Sequence, residues 1–276
     1  MIFDQNYRYI DFYDMIESGL YFVIVGYYFL LFAYFLVMRY RTSRKLYWLF
    51  FSILFLCLAA GRCFFIGYYF FIPELRLPNE QVAQALMLWY RLATFCSWLA
   101  IACLMGVLGV LLFPPEIEGE PTPKNSRLQK FLTPPIKLLI RITIILIPII
   151  VGVLALTLPD RLFMDPNLVE RYDLDIDLIT IWGYPVGRFI LNFILLPIFI
   201  AVIPFLFIYL AIRTFGVLRR SYALNALGFF LYYAGRITQG LFELLGWQHF
   251  ESTIPPLIIL CSLLIIVIAN NYEQLR

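Results

Sequence analysis

The sequence predicts an all-α membrane protein with seven transmembrane helices, and three observations lead to this fold class. Hydrophobic residues make up 62 % of the 276 residues and charged residues only 14 %, and the mean hydropathy is +0.84. Seven apolar segments are long enough to cross about 30 Å of hydrocarbon as helices. Basic residues cluster in alternate connections between these segments. We therefore expect one membrane domain over residues 1–276.

The predicted helices are separated by short connections, with two longer segments. Before the first helix, residues 1–16 mix aspartates with tyrosines, which suits the membrane interface. Between helices three and four, residues 114–135 are rich in proline and predict a stiff connector. The predicted helices cover about residues 17–38, 47–72, 82–113, 136–158, 188–212, 223–247 and 254–270.

The basic residues predict the orientation of the chain. Thirteen lysines and arginines fall in one set of connections and five in the opposite set. Cytoplasmic loops of membrane proteins carry an excess of lysine and arginine. The N-terminus is therefore predicted outside and the C-terminus inside, in a multi-pass protein of the cell membrane. This asymmetry accounts for the net charge of +3 without nucleic-acid binding.

The longest predicted outer connection is residues 159–187, between helices four and five. Asp173, Asp175 and Asp177 alternate with apolar residues, and this period-two pattern predicts a strand. The Asp-Pro-Asn run at 165–167 is expected to turn the chain before it. The segment is thus predicted to form an extracellular hairpin over the bundle. The carboxylates lack EF-hand spacing, and a solvated strand face is favoured over a calcium site.

Three arginines, Arg62, Arg91 and Arg236, lie inside predicted helices. Arginine stays protonated in proteins, and a charge at the centre of a membrane helix costs about 2.5–3.5 kcal/mol before compensation. Glu243 is the single acid in the same hydrophobic segments. About two positive charges therefore need water, carbonyl oxygens or a bound anion, which predicts a polar, cationic cavity.

The three arginines are predicted to lie in one layer. Counted to the predicted outer end of each helix at 1.5 Å per residue, all three lie about 14–16 Å below the outer face. On helix six, Arg236, Gln239 and Glu243 share one helical stripe. The arginines can alternatively be structural, satisfied by carbonyl groups, Glu243 and water. The candidate ligand-binding residues are Arg62, Arg91, Arg236, Gln239, Glu243, Trp89 and Tyr69.

A weak internal repeat relates residues 35–62 to residues 209–236 without a gap. Both copies run helix, basic turn, helix, and both end in Ala-Gly-Arg. The repeat predicts a 3+1+3 arrangement, in which two units of three helices are joined by a fourth. Parallel repeats of this kind place functional sites at the repeat interface, near mid-membrane.

Several features are shared with a family of sensors. They are Trp89-Tyr-Arg-Leu92, the basic turn from Arg213 to Ser221, and Thr253-Ile-Pro-Pro256 at the start of helix seven. In these features, and in the outer hairpin before helix five, the chain resembles the seven-transmembrane sensor region of prokaryotic histidine kinases. The resemblance implies that the helices sense a signal and pass it to a cytoplasmic effector. No kinase part follows helix seven in this sequence, so a separate cytoplasmic or membrane protein is expected to receive the output.

The favoured hypothesis is a non-enzymatic, receptor-like sensor with an outward-facing cationic pocket. The alternatives are a small-solute porter of 3+1+3 architecture and a structural subunit of a membrane complex. The outer connections are acidic and repel soluble anions. A zwitterion, or an amphiphile that enters from the bilayer, therefore fits the pocket better. Membrane lipid is the other expected partner, and nucleic acid is not expected.

Motifs for catalysis, metals and cofactors are lacking in the sequence. It contains no HExxH motif and no nucleophile elbow, and its five cysteines have no metal-binding spacing. All four lysines fall in predicted cytoplasmic segments, so helix seven has none to form a Schiff base with retinal. We therefore predict no catalytic, metal or cofactor site.

Overall fold

The computed structural model describes residues 12–112, 134–245 and 247–271. Residues 1–11 of the predicted interfacial segment 1–16 and residues 114–133 of the predicted connector 114–135 lie outside the described residues. Within them the chain is almost entirely helical, with one two-stranded hairpin. The all-helical class predicted from composition is thus confirmed.

Seven long helices are described, and each lies within a few residues of a predicted one. The largest differences are polar turns that precede the apolar parts of the last two helices. Two short helices and the hairpin lie between α4 and α7. The elements are α1 Phe12–Ser43, α2 Leu46–Phe71, α3 Asn79–Leu112, α4 Pro134–Thr157, α5 Asp160–Phe163, α6 Pro166–Tyr172, β1 Thr180–Ile181, β2 Tyr184–Pro185, α7 Val186–Arg213, α8 Gly216–Leu245 and α9 Gln248–Asn271.

Among the described residues, six helices are long and apolar enough to span a membrane. They are α1, α2, α3, α4, α7 and α9, and they indicate a multi-pass membrane protein. The remaining long helix, α8, falls short by hydropathy since it carries polar residues along its length, among them Asn225, Arg236 and Gln239.

Consecutive long helices pack along each other, except α4 and α7. In addition, α1 packs against α9, and α3 contacts α7. Aromatic side chains fill the centre of the resulting bundle. Phe35 of α1 stacks on Phe55 of α2 at 5.6 Å between ring centroids, Phe51 lies 6.3 Å from Phe229 of α8, and Phe229 stacks on Phe207 of α7 at 5.4 Å. This aromatic cluster joins α1, α2, α7 and α8 in one core.

One end of the bundle, here called the basic end, is formed by Arg39, Ser221 and Asn270. Arg39 donates hydrogen bonds to the carbonyl of Asn270 and, at 2.9 Å, to the hydroxyl of Tyr34. Ser221 donates to the carbonyl of Ala269 at 2.8 Å. A cation beside the last carbonyls of a helix is electrostatically favourable. These bonds fasten the end of α1 and the start of α8 to the C-terminal end of α9.

The opposite end, here called the loop end, is formed by residues 159–187. The strand predicted over 173–178 is wrong, because the paired strands are Thr180–Ile181 and Tyr184–Pro185. Trp182 and Gly183 form the turn between them, with φ angles of 53° and 79°. Two positive φ angles are what a two-residue hairpin turn needs.

The predicted turn at 165–167 is also wrong, because these residues begin α6. Asp165 caps this helix by accepting a hydrogen bond from the backbone N–H of Asn167 at 2.9 Å, and proline at the first position is compatible with a helix start. The period-two pattern that suggested the strand reflects burial instead. Apolar side chains at 174, 176 and 178 pack against the core, and the alternating aspartates are exposed.

Candidate functional site

Two adjoining cavities lie inside the bundle. The larger, of about 440 Å³, is bounded by α2, α3, α7 and α8, with Tyr184 of the hairpin contributing at the loop end. The smaller, of about 40 Å³, lies deeper and is also lined by α1 and α9. Arg236 lines both cavities, and Arg62 lines the smaller one. The structure thus brings together two of the three predicted arginines.

Arg62 is only 6 % exposed. Its guanidinium lies 4.4 Å from the ring centroid of Tyr21, and Tyr28, Tyr69 and Tyr232 are its other electrostatic neighbours. Within the described part of the chain, the guanidinium makes no hydrogen bond and no ion pair. A desolvated cation–π contact contributes about 2 kcal/mol, less than the 2.5–3.5 kcal/mol that a buried charge costs in a membrane helix. The charge of Arg62 is therefore incompletely compensated.

Arg236 occupies the junction of the two cavities. It is half-buried, and it too lacks a hydrogen bond or ion pair to any residue that the structure describes. Gln239, one turn along α8, lines the larger cavity as the helical stripe predicts. The side chain of Glu243 lies outside the described atoms. Arg62 and Arg236 together make the site cationic.

Arg91 lies elsewhere, where α3 meets the end of α4. Its guanidinium donates to the carbonyl of Leu156 at 2.6 Å and to that of Leu158, and pairs with Asp160 at 2.6 Å. It lines neither cavity. Carbonyl groups and a carboxylate therefore compensate this arginine, which is the structural alternative raised by the sequence.

The two aromatic candidates also separate. Tyr69 lines the larger cavity and stacks on Phe65 at 6.0 Å between centroids. Trp89 instead packs against the backbone of Gly67, where an added Cβ would lie 2.1 Å from the indole ring. Glycine is thus required at 67 for α2 and α3 to approach each other, and Trp89 is a packing residue that lines neither cavity.

Arg188, at the start of α7, is a site residue that was not among the candidates predicted from the sequence. It is 3 % exposed, lines the larger cavity, and stacks over the ring of Tyr90 at 3.8 Å. Its guanidinium donates to the carbonyl of Phe163, pairs with Asp165 at 3.2 Å, and lies 3.4 Å from the hydroxyl of Tyr68. This network fixes the loop end to α2 and α3.

The sequence offered one indication of this role. Arg188 is the first residue of predicted helix five, so its side chain could fold back towards the bundle. Its partners are 23 to 120 residues away in the chain, and no local pattern links them.

The walls of the larger cavity are mainly aromatic and aliphatic. Thr94 and Ser97 donate to carbonyls of their own helix at 2.9 Å, and Asn192 donates to the Tyr90 hydroxyl at 3.2 Å. No acidic side chain is among the described residues that line either cavity. Apolar walls with a few fixed polar groups are typical of small-molecule binding sites.

Comparison with models of protein families, with curated proteins and with solved structures found no match to this chain. The resemblance to sensor regions therefore stays a prediction.

The five cysteines are free thiols. In the described ranges, no group of three or more His, Cys, Asp and Glu residues could hold a metal ion.

Proposed function

We propose that this protein is a receptor-like membrane sensor whose ligand binds in an outward-facing pocket containing Arg236 and Arg62. One observation carries the proposal. Two arginines from distant parts of the chain line adjoining cavities, and no described carboxylate compensates either of them. A charge kept in this state costs stability, and a bound anionic group would compensate it.

The proposal includes seven spanning helices in a 3+1+3 arrangement. The helix α8 packs along both α7 and α9, which supports its insertion as the seventh span. Repeat-equivalent glycines mark two similar helix contacts. A Cβ at Gly61 would lie 3.3 Å from the Ala93 carbonyl of α3, and one at Gly235 would lie 3.1 Å from Ile259 of α9. The packing of α1 on α9 likewise has a counterpart in the contact of α7 with α3.

The proposed orientation places the loop end outside and the basic end in the cytoplasm. It is supported by the exposed aspartates of the loop end and by the arginines of the connections at the basic end. The larger cavity is lined by Tyr184 of the loop end and by Arg188 next to it, so in this orientation it faces outward. Output would then pass through the basic end to a separate protein.

A small-solute porter is the second candidate, favoured by the pairing of Arg62 and Arg236 at equivalent positions of the repeat. A porter must expose the same site to both sides in turn. In this structure Phe229, which lines the smaller cavity, packs against Phe51 of α2 and Phe207 of α7. A porter would have to separate these rings to open the site towards the basic end, and their close packing favours the sensor.

Site-specific photocross-linking tests the sensor. The experiment is carried out in native membranes on a variant with a photoreactive residue in place of Arg220. Arg220 is exposed in the first turns of α8. A ligand shifts a two-state bundle by its differential affinity for the two states. We therefore expect one protein product whose yield changes severalfold in Arg236→Gln but not in Arg44→Gln, a matched exposed arginine at the basic end.

Proteoliposome uptake of labelled amino acids, sugars and carboxylates tests the porter. If uptake is saturable and Arg236→Gln abolishes it, the protein is a porter and the proposed sensor function is wrong. Cross-linking to lipid alone, with no dependence on Arg236, would contradict the sensor as well.

A further inference from the structure

We propose that the ligand is a carboxylate amphiphile of the bilayer, with its carboxylate on Arg236 and its apolar body in the larger cavity. This inference rests on the proposed pocket and names the chemical class that the pocket binds. Four properties carry it: charge, volume, wall chemistry and the route of entry.

The charge of the larger cavity calls for one negative group. Arg188 and Arg236 are the charged residues among its described lining, and Arg188 is already paired with Asp165 at 3.2 Å. Arg236 has no such partner among the described residues. A planar guanidinium can bind a carboxylate through two parallel hydrogen bonds. One carboxylate therefore neutralises the cavity.

The two volumes divide the site into a ligand chamber and a water chamber. The smaller cavity, of about 40 Å³, has room for roughly three water molecules, at 10–15 Å³ each. The larger cavity, of about 440 Å³, falls in the range of about 300–1,000 Å³ typical of drug-sized ligands. Water in the smaller cavity can solvate Arg62 and link it to a carboxylate on Arg236, while the ligand body occupies the larger one.

The walls favour an apolar ligand body. Trp98, Phe193, Leu196 and Ile200 surround the space beyond Arg236. The hydroxyl of Ser97 already donates to its own helix. A sugar would bring more hydroxyl groups than the few polar groups of these walls can pair, and each unpaired buried hydroxyl weakens binding. A chain or ring of methylene groups has no polar group of its own that needs a partner.

The route of entry also selects an amphiphile. Towards the loop end, the cavity is bounded by Tyr184 and by Arg188, which holds the carbonyl of Phe163. The most exposed lining side chains are aromatic or aliphatic, with Tyr69 at 41 %, Ile237 at 39 % and Leu241 at 48 %. Soluble anions would also meet the exposed aspartates of the loop end. The mouth thus suits a molecule arriving from lipid.

Quenching of Trp98 fluorescence by a brominated fatty acid tests the proposal. Trp98 lines the larger cavity and is 1 % exposed, so bromine dissolved in the bilayer cannot contact it closely. The full chain is placed in lipid nanodiscs and titrated with dibromostearic acid. The same titration of Trp98→Phe gives the signal of the other tryptophans, and the difference reports the cavity.

We expect saturable quenching of Trp98 by the acid. Two changes should each raise the concentration for half-maximal quenching by roughly tenfold or more: dibromostearyl alcohol in place of the acid, and Arg236→Gln in the protein. Each change removes a charge-assisted hydrogen bond. Arg236→Lys should retain part of the affinity, and Arg44→Gln, an exposed control at the basic end, should retain all of it. A thermal melt of each variant verifies folding.

Each other outcome overturns a defined part of the proposal. Equal affinity for the acid and the alcohol would contradict a carboxylate ligand. It would still show that an amphiphile occupies the pocket, so the proposed sensor would stand. Tighter quenching by a brominated lysophosphatidate assigns the anion to a phosphate headgroup instead. No saturable quenching by any amphiphile removes this ligand class, and Arg236-dependent cross-linking at the basic end then decides separately whether the pocket functions.

Discussion

Two pairs of arginines in this bundle are treated in opposite ways. Arg91 and Arg188 lie near the loop end, and each is bonded to at least one backbone carbonyl and to an aspartate. Arg62 and Arg236 lie deeper and, within the described chain, are bonded to neither. The same side chain is thus an anchor near the loop end, whereas deeper in the bundle no described carboxylate or carbonyl is bonded to it.

This contrast separates structural from functional charge. When one member of a buried ion pair is removed, the other is left unpaired, and the loss of stability is large. When a buried charge without a bonded partner is replaced by an apolar group, the cost of holding that charge in the membrane is removed, so stability changes little or rises. Sites that bind ligands are commonly kept at such a cost. The sign of the stability change on substitution therefore distinguishes the two pairs.

The largest effect is expected for Arg188→Gln. This change leaves Asp165 unpaired and removes the bond to the Phe163 carbonyl, so we expect the free energy of unfolding to fall by about 3–5 kcal/mol. Unfolding in mixed micelles with increasing dodecyl sulfate measures it. The control is Arg161→Gln, an exposed arginine of the loop end, which should change stability by less than about 0.5 kcal/mol. Similar losses in the free energy of unfolding for the two variants would show that Arg188 is not an anchor.

A smaller effect of opposite sign is expected for Arg62→Met. The change removes a charge that costs about 2.5–3.5 kcal/mol in the membrane and a cation–π contact of about 2 kcal/mol. Stability should therefore rise by about 1 kcal/mol in the same micelle titration. A loss of several kcal/mol would mean that Arg62 is an anchor like Arg188, and the contrast between the layers would disappear.

Features that depend on single helices could be predicted from the sequence. Apolar length alone predicts the long helices, because a membrane-spanning helix is a local property of the chain. Arg62 and Arg236 could be predicted as neighbours, since their positions follow from depth along helices and from the shortage of acids. In both cases the information lies within single helices.

The errors arise where distant residues decide the structure. Arg91 is compensated by Asp160, which follows helix four, and residue counting cannot show which helix end lies beside α3. The pattern at 173–178 reports alternating burial but does not identify a strand partner. The paired strands lie just beyond it, where Trp182-Gly183 supplies the turn. Contacts of this kind depend on tertiary packing, which a local pattern does not encode.

The smallest effect is expected for Asp160→Asn. Its carboxylate pairs with Arg91 at 2.6 Å, but the Asp160 side chain is 48 % exposed. Exposed ion pairs contribute about 0.2–1 kcal/mol, and Arg91 keeps its bonds to the carbonyls of Leu156 and Leu158. We therefore expect a loss within that range in the micelle titration. Asp165→Asn should cost more, because its partner Arg188 is only 3 % exposed and the charge of Arg188 would be left buried without its carboxylate. The control Asp175→Asn, on an exposed carboxylate, should have no measurable effect. Equal losses for Asp160→Asn and Asp165→Asn would show that burial does not set the strength of these anchors.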